Sequence, residues 1–123
     1  MKIRIKRVYE PAKRGDGLRI LVDRVLPRGM SKDKAHIDHW VKDVAPGTAL
    51  RKWFGHEPAR WTAFRAKYRK ELAANRMAVR ELGTLIKGKT VTLLYGARDT
   101  EHNNAVVLAE YLARKTPRKA KAA

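Results

Sequence analysis

The 123 residues make one domain of ordinary length, and a 44% hydrophobic content gives enough apolar surface for one packed core. No cysteine occurs, which excludes disulfides, thiolate catalysis, iron–sulfur clusters and cysteine-type zinc sites. Against 12 acidic residues stand 29 basic ones, a formal charge of +17 that attracts polyanions without defining a function.

No stretch approaches the roughly eighteen apolar residues of a membrane span. The N-terminal Met1-Lys2-Ile3-Arg4 alternates charge instead of building a signal-peptide core, so a cytoplasmic location without membrane association is expected. From Ile3 to Tyr9, Ile3 and Ile5 alternate with Lys2, Arg4 and Lys6, the period of a half-exposed edge strand. Leu18 to Leu26 is a nearly continuous apolar run between Gly17 and Pro27, which reads as a central strand. The link from Glu10 to Gly17 is short for a parallel crossover, so the direction of the first strand stays open.

A short helix is expected over Asp38 to Val44, after which Thr48 can cap another turn. Pro58 suits a first helical position, and Trp61, Phe64, Tyr68 and Leu72 recur as one buried stripe. This stripe is core, and Arg65, Lys67, Arg69 and Lys70 form its solvated flank. A further helix from about Arg76 to Ile86 leads to a strand at Thr90 to Tyr95, between Gly88 and Gly96. Thr100 then opens a last helix with Val106, Val107, Ala109, Leu112 and Ala113 facing inward. The elements predict a small α/β sandwich, its short sheet at least partly parallel and covered by helices. Residues 1–113 form the domain. Residues 114–123 reduce to Lys, Arg, Ala, Thr and Pro, the composition of a basic disordered tail.

Parallel strands open their carboxyl ends on one sheet edge, the usual place for a ligand. Two polar segments emerge there, Asp23 to Gly29 and Tyr95 to Asn104. A helix start at Thr100 with Arg98 before it suits a phosphate or carboxylate. In the structural alternative, Thr100 or Asp99 caps the helix while Arg98 pairs with Asp23 or Asp99. His102 is the one candidate general acid or base there, against a structural role as a hydrogen-bonding histidine. Asp23 either orients it or neutralises Arg24.

Lys-Arg-Val-Tyr at 6–9, Leu-Val-Asp-Arg-Val-Leu-Pro-Arg-Gly at 21–29 and Leu-Arg-Lys-Trp-Phe-Gly-His at 50–56 resemble the YeaO-like family. Leu-Leu-Tyr-Gly-Ala-Arg-Asp at 93–99 and His-Asn-Asn-Ala-Val-Val-Leu-Ala at 102–109 extend the resemblance over nearly everything but the tail. The family sits within a larger group of domains of unknown function and implies no established activity. In other branches of the group this last helix starts with a Cys-His-Arg pattern that suggests a ligand-handling corner. Here Glu101, His102 and Asn103 stand in its place, and only the histidine matches.

The expected function is therefore binding of, or action on, a small anionic molecule. The predicted site comprises Asp23, Arg24, Arg28, Tyr95, Arg98 and Asn103, with His102 as its proton-transfer residue and no cofactor. His36, His39 and Asp43 would share a face only on a helix reaching back to His36, and no metal is expected there. His56 is read as capping or packing. The alternative is a basic nucleic-acid-binding module. No zinc finger, basic zipper or stacking-aromatic strand motif supports it, and Asn75 and Arg76 interrupt a helix-turn-helix reading of Trp61 to Ile86. Weak, nonspecific attraction to nucleic acid is what the charge alone predicts. Nothing in the sequence indicates the oligomeric state.

Overall fold

The run from Thr90 to Tyr95 carries branched and aromatic side chains on both faces, which is stable only where the strand is flanked and covered on every side. A computed structural model of the chain, describing residues 2–115, places it so. Strands β1 (Lys2–Arg7), β2 (Leu18–Leu21), β3 (His39–Trp40) and β4 (Thr90–Tyr95) form a sheet in the order β1-β4-β2-β3, and all three pairings are parallel. β1 is an edge strand in register with β4 from Lys2 opposite Thr90 to Arg7 opposite Tyr95, which settles its direction. The ten-residue return from Val8 to Gly17 contains no α-helix. It is passable because Gly17 adopts φ 66°, and a Cβ there would meet the Thr90 carbonyl oxygen at 2.1 Å.

Two expected elements differ. The run read as one strand over 18–26 leaves the sheet after Leu21. Val22 still donates to the Leu94 carbonyl, but Asp23 turns its carboxylate onto the Gly96 N–H, and Val25 beyond it is 55% exposed. The helix expected over Asp38–Val44 is instead β3 followed by a single 3-10 turn at Lys42–Val44. Asp38 and Val41 donate their N–H groups to Arg19 and Leu21 carbonyls at 2.8 and 3.0 Å, so the neighbouring strand takes the donors a helix would use. A two-residue strand is too short to leave a period in sequence.

The helices are α1 (Thr48–Phe54), α2 (Trp61–Ala74), α3 (Arg76–Ile86) and α4 (Asn104–Lys115). They cover one face of the sheet. Phe64, Tyr68 and Leu72 of α2, Leu82 and Ile86 of α3, and Leu108 and Leu112 of α4 enclose Ile20, Val91, Leu93 and Tyr95. Trp61 stands half-buried at the end of the predicted stripe. α4 starts later than expected. Asp99 Oδ1 accepts the Glu101 and His102 N–H groups, holding that segment in a turn, and Asn103 Oδ1 caps the helix by accepting the Val106 N–H at 3.1 Å. Its buried positions are Ala105, Val107, Leu108 and Leu112, whereas Ala113 is exposed. The helix runs through Lys115, past the expected boundary at 113. The tail expectation for 116–123 lies outside the described residues.

The other face carries irregular chain instead of helices. Val8, Ala35 and Ile37 pack on Leu21 and Leu94, flanked by Leu26, Met30 and Trp40. Beside this small apolar cluster lies a buried ionic group. Asp16 accepts from Arg19 at 2.5 Å, from Lys6 at 3.0 Å and from the Lys13 N–H at 3.0 Å. Arg19 also donates to the Ala35 and His36 carbonyls, fastening the 13–16 and 35–36 segments to one strand. The Asp16 carboxyl is opposed by burial, but the hydrogen bonds from Lys13, Lys6 and Arg19 prevail and hold its pKa at about 2. Among the described residues, no helix is long and apolar enough to cross a membrane.

Candidate functional site

β2 and β4 end side by side, and the chain leaves both through segments that cannot continue the ladder. After β2, Asp23 turns inward. After β4, Gly96 permits a close approach, since a Cβ there would lie 3.0 Å from Pro27 and 3.2 Å from the Asp23 carboxylate. The Gly96 N–H donates to Asp23 Oδ2 at 2.9 Å, and Asn104 from the first turn of α4 donates to Asp23 Oδ1 at 3.1 Å and to the Val22 carbonyl at 3.0 Å. Trp40 Nε1 donates to the Asp23 carbonyl at 2.8 Å, so β3 also fixes this corner.

Asp23 lies in a cleft of about 660 Å³ between the strand ends, α1 and the start of α4. It is the one acid among the described lining residues, which include Arg24, Arg28, Arg51, Lys52 and His56, with Phe54 and Phe64 as apolar wall. Burial raises the Asp23 pKa, against the lowering effect of the Asn104 and Gly96 hydrogen bonds and of the Arg51 and His56 charges. Arg24 spends its guanidinium on the Ala45 and Pro46 carbonyls, clamping the loop before α1. Arg28 and Arg51 line the cleft as exposed residues and make no side-chain hydrogen bond or ion pair among the described residues. His56 follows Gly55 in a second left-handed conformation, φ 59°, which is uncommon outside glycine. Its ring packs 6.2 Å from that of Phe54, the packing half of the expectation, whereas the cap of α1 is Gly55 and His56 in addition lines the cleft.

The cleft thus gathers Asp23, Arg24, Arg28 and Asn103 from the sequence-derived set. Tyr95, Arg98 and His102 are outside its lining. Tyr95 is buried in the helix-side core, where burial raises its pKa and Asn103 hydrogen-bonds it. Arg98 is exposed. His102 Nδ1 lies 2.8 Å from Asp99 Oδ2, and its ring meets Trp61 edge-on at 5.1 Å. The Asp99 pKa is lowered, first by that His102 hydrogen bond. Arg51, His56 and Asn104 were missed as site residues. Arg51 and His56 fall within the 50–56 motif, where a signal did exist. His36, His39 and Asp43 share no helix, since they occupy a left-handed turn, β3 and the 3-10 turn.

A parallel α/β domain with a basic cleft at its strand ends defines the class of protein, and comparison with known sequences gives the family. The chain belongs to the inactive DUF488-N3 subclade, whose family model matches residues 2–123. It is 45% identical over 112 residues to the uncharacterized protein YeaO of Escherichia coli, covering 91% of this chain and 97% of that one. It is 40% identical over 111 residues to the uncharacterized proteins Mb3100c of Mycobacterium bovis and Rv3073c of Mycobacterium tuberculosis, covering 90% of this chain and 93% of each. No solved structure is significantly similar to it.

Proposed function

We propose that the cleft binds a small anionic molecule bearing a hydrogen-bond donor, and that this chain holds the ligand without transforming it. The observation that carries the reading is the pairing of one fixed carboxylate, Asp23, with the uncommitted guanidinium groups of Arg28 and Arg51 across the same cleft. Arginine donors match phosphate or carboxylate oxygens two at a time, while Asp23 retains lone pairs for a ligand N–H or O–H. A binding role accords with the family's description as inactive and with the commitment of His102 to Asp99 outside the lining. A role for His102 in proton transfer would require a ligand reaching beyond the lining of the cleft to the Asp99–His102 pair.

The test is amide NMR of the full chain titrated with inorganic phosphate, malonate and adenosine monophosphate. Saturable shifts centred on Gly96, Asn104 and His56 are expected for at least one probe. Arg51→Ala should weaken that binding roughly tenfold, the loss of one charged hydrogen-bonding partner. Shifts that spread over all basic surfaces without saturating would sink the reading.

The charge of +17 favours a second reading, in which the basic surface attracts nucleic acid. Unrelated duplexes should bind only at low salt. Sequence-selective binding near physiological ionic strength, about 0.15 M, would make nucleic acid the primary ligand instead.

A further inference from the structure

Away from the cleft, α3 and the C-terminal half of α4 border a groove of about 1110 Å³. Its floor is the buried core residues Val79, Ile86 and Leu112, and its accessible apolar surface comes from the half-buried Tyr111 and from Met77, which is 71% exposed, a large unbranched side chain left in water. Its charged lining residues, among those described, are all cationic: Arg76, Arg80 and Lys87. Arg76 and Arg80 lie one turn apart on α3, and Lys87 is the residue that ends it.

Gly83 lies in the same groove, in the middle of α3. Glycine weakens a helix interior, and it is usually retained there because another group packs against the bare backbone. Among the described residues no such group is present, since a Cβ on Gly83 would have nothing within 4 Å. The helix therefore carries a notch, unfilled by the described residues, on the cationic ridge itself, one turn beyond Arg80 and one turn before Lys87.

We infer that this groove docks an acidic amphipathic helix from a partner protein, its apolar side chains over Met77 and Gly83 and its carboxylates against Arg76, Arg80 and Lys87. Charge complementarity selects this occupant. A second copy of a chain carrying +17 would bring like charge to the rim, and so would Arg118, Lys119 and Lys121 of its own C-terminal segment. Thioether flexibility at Met77 suits an interface that adapts to a helix laid in a groove.

Selection of a random peptide display library on the immobilised full chain tests the inference, with the Gly83→Leu variant as counter-target. Enriched peptides should carry apolar residues at helical spacing flanked by Asp and Glu. Their synthetic versions should bind Arg80→Glu and Gly83→Leu at least roughly tenfold more weakly, the effect of losing an interface anchor. Gly83→Leu, which suits a helix better and meets nothing within 4 Å of its Cβ among the described residues, should melt no lower than the parent, so that its weakened binding cannot be attributed to misfolding. Four results would overturn the inference: no enrichment over the counter-target, peptides indifferent to Arg80→Glu, a concentration-dependent dimer broken by Gly83→Leu, or duplex DNA competing for the same residues by amide NMR.

Discussion

Asp23 and Gly96 are joined by a 2.9 Å hydrogen bond that ties the end of β2 to the end of β4 and sets the floor of the cleft. Asp23→Leu removes the acceptor for both the Gly96 N–H and the Asn104 amide. The expected cost is about 2 kcal/mol, since each unsatisfied donor costs about 1–3 kcal/mol and the relief of a buried carboxylate offsets part of it. Asp23→Asn, which keeps one acceptor, should lose less. The folded pKa of Asp23 lies above 3.8, so its ionisation opposes folding, and the wild type gains stability from this group as pH falls through that raised value. Urea unfolding of the three proteins as a function of pH measures both effects, and equal losses in the two variants would contradict the bonding described.

Asp16 has the opposite sign. Its pKa is about 2 folded against an ordinary 3.8, so the unfolded chain takes up its proton first as pH falls. The stabilisation, about 2 kcal/mol by linkage, is complete above pH 4 and is lost between about 4 and 2. Asp16→Asn should lower stability at neutral pH and flatten this acid limb. An unchanged limb in denaturant titrations would place the acid sensitivity elsewhere.

At Gly17 both backbone conformation and space are decisive. Gly17→Ala would force a methyl group against the Thr90 carbonyl at a φ of 66°, for an expected loss on the order of 3 kcal/mol. Gly88→Ala, at φ 72° but with nothing within 4 Å, should cost less. Comparing the melting temperatures of the two variants separates collision from conformation.

Asn103 is buried and donates to the Asp99 carbonyl while capping α4. Asn103→Ala should cost about 1–2 kcal/mol, and Asn103→Asp should recover the capping share. If Asn103 also serves the ligand, Asn103→Asp will regain stability without regaining binding in the NMR titration.

The elements legible in sequence were those whose own side chains carry the pattern: β4 as an apolar run between glycines, α2 as the Phe64–Tyr68–Leu72 stripe. β3 was not, because its backbone is held by the Arg19 and Leu21 carbonyls, partners remote in sequence. The loop-covered face was illegible for the same reason, its organiser being an ion group of Lys6, Asp16 and Arg19 whose members look like ordinary surface charges until folded. Asp23 could be found because a polar segment follows a strand. Asn104 reaches the cleft only because Asp99 and Asn103 delay the start of α4, a local competition between turn and helix that spacing does not reveal.

The parallel pairing of β1 with β4 also bears on synthesis. β1 is made first, yet Lys2 finds its partner only when Thr90 has been translated, and β2 needs that same strand on its other side. Of the three pairings only the two-residue contact of β2 with β3 joins consecutive strands, so the nascent chain must carry Leu18–Val22 without β4 until that strand emerges. Such nonlocal pairing folds slowly and leaves apolar strands open to aggregation meanwhile. The charged Lys2, Arg4 and Lys6 on the waiting edge strand, with the strong positive charge of the whole chain, would keep neighbouring nascent copies apart during that interval.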